Sequence, residues 1–305
     1  MKAPFNRYVG LVILEVTMSN PNGDPDMESE PRTREYDQLG MISPVSFKRK
    51  FRDLVAVENG ENSAVFEQAK TQLGLSDGDN EFGILEQRGR NRDEIKSLDK
   101  KDFVKKYWDA RLFGNTFLEA LKDSDLSDIE KEKKKEGGFN HLINTGAVQI
   151  GVGLSVAPID VVRMTNTNKS GVQSDKDRGM APLAFRVVQH AIYCIPIFVN
   201  PSVAIKTGAT QADLDLFKFI LPHVYKHTAS AIRPNIEILH AWFAEHKNVL
   251  GSCPEHLLIK ALTPTVKPGV VKPISSADYD IPGLKDVDAS IVERFNKIED
   301  LNDKL

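Results

Sequence analysis

The sequence has few cysteines and no long apolar run. Its 305 residues include two cysteines, Cys194 and Cys253, which lie far apart and form no CxxC pair. Neither a zinc site nor a disulfide framework is therefore indicated, and a reducing cytoplasm is the expected environment. No apolar run approaches the roughly 18 residues that a membrane span requires. Residues 1–4 lead into a strand-like segment and do not resemble a signal peptide, so we expect no membrane partner.

The motifs of conventional catalysis are also missing. The sequence has no HExxH, no GxSxG and no Walker loop, and the GxG at residues 151–153 is too weak to indicate a dinucleotide site. Five of the seven histidines lie between His190 and His246, without the spacing of zinc ligands. The sequence thus predicts no catalytic residue, no metal and no cofactor.

Neither sign of charge is in large excess, but the charges are unevenly distributed. The formal net charge is -3. Residues 24–37 hold six acids and two bases, and residues 278–304 hold eight acids and four bases, so each segment has a net charge of -4. The rest of the chain therefore carries +5. Such segregation favours a protein with a local anionic partner.

Apolar patterns predict an α+β fold. The predicted order is strand, helix, insertion, strand, hairpin excursion, strand, helix, strand. These segments lie at residues 8–18, from Ser43 onward, and at 146–157, 182–199, 210–225 and 236–246, the last of which fits either a strand or a helix. Without the insertions the order is βαββαβ, that of a ferredoxin-like or RRM fold.

Composition divides the chain around this core. We expect an RRM-like core from residues 1–57 and 145–262, from which a hairpin protrudes at about 162–181. Residues 58–144 are polar and highly charged and predict an inserted, mainly helical subdomain. Residues 263–305 form a C-terminal extension that is rich in proline and ends in a predicted acidic helix.

The helix that begins at Ser43 carries four bases in five residues. Its apolar stripe sets its orientation, so Lys48, Arg49 and Arg52 fall on an arc of about 100° beside the stripe, while Lys50 points elsewhere. Three cations near a capped helix start, with its free amides, make a phosphate cradle. The alternative is an ordinary solvated helix face.

The loop of the predicted hairpin combines cations with flexible apolar side chains. Its cations are Arg163, Lys169, Lys176 and Arg178. Met164 and Met180 bracket the loop. Basic residues beside an apolar wedge suit a segment that lies over a nucleic-acid strand and pushes between bases. The alternative is a disordered surface loop.

An acidic loop follows the first strand. Its acids Asp24, Asp26, Glu28, Glu30 and Glu35 match several positions of a calcium loop. Ser29 replaces the required glycine, and Pro25 and Pro31 stiffen the turn, so calcium binding is disfavoured. Paired aspartates could instead hold magnesium for phosphodiester cleavage, which stays open as an alternative.

Five motifs together resemble the backbone subunit of the type I CRISPR surveillance complex, Cascade, most closely the type I-C member of that RAMP-superfamily group. The motifs are SNPNGDPD (19–26), GMISPVSFKRKFRD (40–53), WDARLFG (108–114), TGAVQIGVGLSVAPID (145–160) and DKDRGMAPLAF (175–185). They occur in the expected order between about residues 8 and 250. Their ordered combination is more specific than any one of them.

The resemblance implies an RRM-like palm with finger and thumb insertions, which correspond to residues 58–144 and about 162–181. Such subunits assemble head to tail along a CRISPR guide RNA, which pairs with target DNA, alongside other Cascade subunits and a recruited nuclease-helicase. The residues that match RNA-contacting positions are Asn20, Asn22, Ser46, Lys48, Arg49, Arg52, Arg111, Gln149, Arg163, Met164, Lys169 and Met180. The expected function is a non-catalytic scaffold.

A metal-dependent endoribonuclease is the alternative function. Related backbone subunits of type III complexes cleave target RNA with an aspartate in the loop after the first strand, where this chain has Asp24 and Asp26. The type I-like motifs favour the scaffold instead, since in type I systems a recruited nuclease-helicase cuts the DNA.

Overall fold

The computed structural model describes residues 2–57, 61–75, 80–91, 94–95, 98–117, 142–168 and 181–304. The strands in these residues are β1 (Tyr8–Ser19), β2 (Gly23–Asp24), β3 (Glu30–Pro31), β4 (Leu39–Ile42), β5 (Gly114–Phe117), β6 (Leu142–Thr145), β7 (Val148–Ile150), β8 (Gly153–Pro158), β9 (Val161–Asn168), β10 (Ala181–Val199), β11 (Ile236–His246), β12 (Thr265–Val266), β13 (Tyr279–Asp280) and β14 (Phe295–Asp300). The helices are α1 (Pro44–Val55), α2 (Ala64–Leu73), α3 (Lys100–Lys106), α4 (Trp108–Phe113), α5 (Pro201–Thr207), α6 (Gln211–Ile220), α7 (Glu255–Leu262) and α8 (Ala289–Val292). None of the helices in the described part of the chain has the length and hydropathy to cross a bilayer.

A large antiparallel sheet organises this mixed α/β structure. Its strand order is β14-β11-β1-β10-β8-β4, and β7 and β9 also pair with β10. β1 lies between β10 and β11 and is antiparallel to both. A central strand that is covered on both faces has to be apolar at nearly every position. This explains why its sequence, YVGLVILEVTMS, shows little alternation.

The two faces of β1 pack into different cores. On one face, Val12, Leu14 and Val16 belong to the main core, together with residues of α1 and α6. On the other face, Leu11 and Ile13 belong to a second core. This second core includes Leu258 and Leu262 of α7. Alternate side chains of a strand point to opposite faces, so the sheet carries one helical layer on each side. The basic helix α1 and helix α7 therefore lie on opposite sides of the sheet.

Helix α1 begins where the sequence predicts. Ser43 Oγ accepts a hydrogen bond from the Ser46 backbone N–H at 3.2 Å, and Pro44 takes the first helical position. The apolar stripe is buried, and Phe51 stacks on Phe217 of α6 with 4.7 Å between the ring centroids. Docking of this stripe fixes the directions in which the cations of α1 point.

Three local predictions change in the structure. Residues 236–246, which fitted either a strand or a helix, form β11. The strand that leads into the protruding hairpin continues to Asn168, so β9 and β10 pair from Val161↔Val188 to Asn168↔Ala181. The predicted acidic helical end is present only as the short helix α8, because Phe295–Asp300 forms the edge strand β14 on β11.

The segment predicted as an inserted subdomain contributes to two cores. Phe66, Trp108 and Phe113 belong to the main core. A smaller cluster that contains Leu85 and Phe103 lies within the segment itself. Its division from the rest of the chain as a separate finger stays a prediction.

Candidate nucleic-acid interface

Lys48 and Arg49 lie on the predicted flank of α1. Lys48 is half-buried, and its Nζ lies 3.5 Å from the carbonyl oxygen of Phe113. Burial, with a smaller effect from the Arg52 charge, lowers the pKa of Lys48. The Arg49 side chain is 44% exposed and its Nε pairs with Asp53 Oδ1 at 2.6 Å. A surface pair of this kind contributes about 0.3–0.5 kcal/mol, so an RNA phosphate can compete with Asp53 for Arg49.

Arg52 requires a correction, because its side chain faces the protein. Arg52 is buried, and its Nε donates to Asp109 Oδ2 at 2.8 Å. Asp109 is fully buried and also accepts the backbone N–H groups of Leu85 and Glu86, at 2.7 and 3.2 Å. Separating a buried ion pair costs about 3–5 kcal/mol. We therefore reassign Arg52 from a phosphate contact to the pair that fastens α1 to α4.

Arg111 requires the same correction. It is 1% exposed, and its Nε and Nη2 donate to the two carboxylate oxygens of Asp213 at 3.0 and 2.7 Å. Its remaining donors reach the carbonyl oxygens of Val104, Lys105 and Glu81, at 2.6 to 2.8 Å. A guanidinium has five N–H donors, and these five bonds use them all. Arg111 therefore has no donor left for RNA.

Asn20 and Asn22 lie in the loop after β1, as predicted, but both side chains bond to the protein. Asn20 is buried, and its Nδ2 donates to the carbonyl oxygens of Ser29 and Arg186 at 2.8 and 3.2 Å. Asn22 Oδ1 accepts the Ser43 backbone N–H at 2.7 Å. These contacts close the loop and join it to the start of α1. Both residues therefore have a structural role, and an RNA contact by either one stays a prediction.

Ser46 and Gln149 have half-buried side chains at two different places. Ser46 lies in the first turn of α1, beside the exposed Val45. Gln149 lies on β7 opposite Phe198 of β10, and its Nε2 donates to the Gly146 carbonyl oxygen at 2.8 Å. An RNA contact by Ser46 or Gln149 stays a prediction.

Gly146, which accepts this bond, lies against the end of α4. A Cβ on Gly146 would lie 2.2 Å from the carbonyl carbon of Phe113, so only glycine lets these backbones approach.

The hairpin presents two of its predicted residues at the surface. Arg163 is exposed opposite Arg186, and Met164 is 40% exposed opposite Phe185. Consecutive side chains of a strand point to opposite faces, so Arg163 and Met164 lie on different faces of the hairpin. An RNA contact by either residue stays a prediction. The predicted loop residues Lys169, Lys176, Arg178 and Met180 lie outside the described residues.

The acids of the loop after β1 are largely paired with arginines. Asp24 Oδ2 lies 3.3 Å from Arg32 Nη1, and its Oδ1 accepts the Asp26 backbone N–H at 3.1 Å. Arg186 Nη1 lies 3.1 and 2.7 Å from carboxylate oxygens of Glu28 and Glu30. Among the residues that the structure describes, no group of three or more histidine, cysteine or acidic side chains could hold a metal ion.

Lys50 is the cation that the helical period places away from the predicted phosphate cradle. It is 3% exposed on the other flank of α1, and its Nζ donates to Thr228 Oγ1 at 3.1 Å. The same Nζ lies 4.7 Å from the ring centroid of Tyr225. Residues 216–236, which include this facing segment, contain no acid. That acid-free run was the available signal that Lys50 would face no acidic partner in this segment.

One family model matches most of the chain. The model of the family described as CRISPR-associated protein Cas7 matches residues 6–283. No curated protein sequence matches the chain. A solved chain described as "CRISPR RNA-guided surveillance complex" is 16% identical at a TM-score of 0.41, with 78% of this chain and 69% of that chain covered. A second solved chain, described as "CRISPR RNA-guided surveillance complex, pre-nicking", is 16% identical at a TM-score of 0.43, with 78% of each chain covered. A third solved chain, from a structure described as "Type III-B Cmr-beta bound to cognate target RNA", is 10% identical at a TM-score of 0.39. The match covers 79% of this chain and 61% of that chain.

Proposed function

This chain belongs to the CRISPR-associated Cas7 family, and from that premise we propose that it is a guide-RNA-binding backbone subunit of a CRISPR surveillance complex. It binds the sugar-phosphate backbone of the guide and performs no chemistry itself. A subunit that has to hold any guide sequence must contact phosphates, because these positions carry no sequence information. Recognition of the target is then left to base pairing between guide and DNA.

One observation carries the proposal most directly. Lys48 and Arg49 project from one flank of α1, next to a capped helix start, in a chain whose net charge is -3. The neighbouring Arg52 is neutralised by Asp109, so its charge is not offered at this surface. The predicted three-cation cradle is thereby reduced to two residues. Two cations provide modest affinity, so the subunit needs further contacts to grip its RNA.

The strand arrangement supports an RRM-like palm. Residues 8–19, 148–158, 181–199 and 236–246 are all antiparallel to their neighbours, with β11 and β10 flanking β1 and with β7 and β8 beyond β10. With α1 after the first of these segments and α6 after the third, this is the order expected of a βαββαβ core. In this proposal residues 58–144 are the finger and residues 263–305 extend the palm.

The β9–β10 hairpin is the proposed thumb. Arg163 and Met164 lie exposed on its first strand, and Lys169 and Met180 complete the proposed contact. Deleting residues 165–179 should leave a folded subunit that no longer assembles regularly on RNA. A variant that still forms assemblies of normal length would remove the thumb from the account.

The partners follow from the family and remain part of the proposal. Copies of the chain assemble head to tail along the guide in a heterologous contact that does not close into a ring. Target DNA pairs with the guide, and other Cascade subunits and a recruited nuclease-helicase join this cytoplasmic complex. The motif set favours a type I-C system.

The test is purification of the chain with its guide RNA. Wild-type protein should carry RNA of defined length that is protected from added nuclease. Lys48→Gln combined with Arg49→Gln should reduce the protected RNA, while Lys260→Gln on α7, across the sheet, should not. RNA-free wild-type protein that also fails to bind added RNA would contradict the proposal.

A further inference from the structure

The second flank of α1 faces a short segment that contains cations and no acid. Lys50 on this flank contacts Tyr225 and Thr228. Lys226 and His227, which lie between them in sequence, are exposed. Arg233 follows in a tight turn in which its backbone N–H donates to the Ser230 carbonyl oxygen at 2.8 Å. This segment is held to the end of β1, because the backbone N–H groups of Thr17 and Asn20 donate to the carbonyl oxygens of Asn235 and Ile232 at 3.1 and 2.8 Å.

The polar groups around Lys50 lack an anion. Among the described residues Lys50 forms no ion pair, and Asp53 is the acid whose charge acts on it. Arg233 Nε and the Tyr225 hydroxyl are buried and have no hydrogen-bond partner in the described part of the chain. Buried donors of native proteins are almost always satisfied. Two unsatisfied donors and an unpaired lysine side by side therefore indicate a group that binds from outside.

The charges of Lys50 and Arg233 repel each other. Burial, and next the nearby Arg233 charge, lower the pKa of Lys50 to about 8. A bound anion would relieve the repulsion and accept a hydrogen bond from Arg233. A phosphodiester fits better than a carboxylate side chain from a partner protein, because it is one of a regular series and the exposed Lys226 and His227 extend the positive surface beside it.

We propose that Arg233, with Lys50 and Tyr225 beneath it, forms a second phosphate site for the RNA strand, on the opposite flank of α1 from Lys48. This inference rests on the proposed function and adds a contact to it. Arg233 is half-buried and reaches the phosphate directly. Lys50, which is nearly covered, contributes positive charge from below. The helix would then have a phosphate contact on each flank.

The test measures binding of a labelled single-stranded RNA of about 30 nucleotides, by fluorescence anisotropy, at several salt concentrations. Arg233→Gln should weaken binding by roughly fivefold or more and make the logarithmic salt dependence shallower by about 0.7, the value for one phosphate contact on a single strand. Arg233→Lys retains the charge and should restore most of the affinity. Lys260→Gln on the opposite side of the sheet is the matched control and should bind as wild type.

Lys50→Met separates a binding role from damage to the fold. Removing an unpaired buried cation should raise the melting temperature of the RNA-free protein while it weakens RNA binding. Misfolding would lower both, and that result would overturn the role of Lys50. Wild-type affinity and salt slope in both Arg233→Gln and Lys50→Met would overturn the site as a whole.

Failure of this inference is distinguishable from failure of the proposed function. If wild-type protein binds RNA and Lys48→Gln with Arg49→Gln weakens it, the proposed function stands whatever Arg233→Gln does. If wild-type protein does not bind RNA at all, the proposed function fails, and this site fails with it.

Discussion

Replacing Arg111 by lysine distinguishes a buried structural arginine from an RNA contact. Lysine keeps the positive charge, so a simple phosphate contact would largely survive the change. The observed site instead uses all five guanidinium donors, on Asp213 and three backbone carbonyl oxygens. An ammonium has three donors and lacks the planar fork, so at least two of these buried acceptors lose their partner.

The expected loss is large compared with the total stability. Each buried acceptor left unsatisfied costs about 1–3 kcal/mol, so the loss of two partners in Arg111→Lys should lower the free energy of unfolding by roughly 2–6 kcal/mol. Domains have a total of about 5–15 kcal/mol. At about 2–4 °C per kcal/mol, the value for large domains, the melting temperature should fall by roughly 4–24 °C.

The assay combines urea unfolding with RNA binding at low temperature, where the variant is still folded. Arg163→Lys, at an exposed position on β9, is the matched control and should change stability by less than about 0.5 kcal/mol. Folded Arg111→Lys should bind RNA with the wild-type salt dependence. Unchanged stability together with weaker RNA binding would refute the reasoning and return Arg111 to the RNA interface.

Three further predictions concern the loop and the two flanks of α1. Lys48→Gln with Arg49→Gln should weaken binding equally for unrelated RNA sequences, with a salt slope shallower by about 1.4; a loss confined to one sequence would contradict phosphate recognition. Asp24→Asn with Asp26→Asn should leave RNA binding unchanged, and wild-type protein should not cleave complementary RNA in magnesium; cleavage that this variant abolishes would establish the nuclease. RNA affinity should fall between pH 7 and 9 as Lys50, with a pKa of about 8, loses its charge. The same fall in affinity in Lys50→Met would show that another group causes it.

The stability of the RNA-free protein should respond to pH in the opposite direction. The pKa of Lys50 is lowered from 10.5 to about 8 in the folded state, so the unfolded chain binds more protons between these values. Stability therefore rises as the pH increases from about 8 towards 10.5. The shift corresponds to roughly 3 kcal/mol against folding at neutral pH. Measuring the free energy of unfolding of wild type and Lys50→Met across this pH range isolates the contribution of Lys50.

Local signals predicted the parts of the fold that local interactions determine. The position of α1 follows from its cap and its apolar stripe, both of which lie within a few residues. The identity of β1 follows from a run of apolar side chains that only a doubly covered strand requires. β14 was missed because its strand state depends on pairing with β11, which is distant in sequence.

The cations of α1 show where sequence reasoning reaches its limit. The helical period correctly separates Lys50 from Lys48, but it does not reveal what faces either flank. Arg52 meets Asp109, 57 residues away, and Lys50 meets Thr228, 178 residues away. Whether a cation is neutralised or left unpaired depends on these distant partners. The pattern of bases was therefore informative, while the assignment of each base required the fold.

The most direct test of the central claim is the affinity of the wild-type chain for three RNAs of equal length and unrelated sequence, each measured at several salt concentrations. Backbone recognition predicts that the three affinities agree within about twofold and fall with the same slope as salt increases. A preference of tenfold or more for one sequence, or binding that is insensitive to salt, would contradict the account.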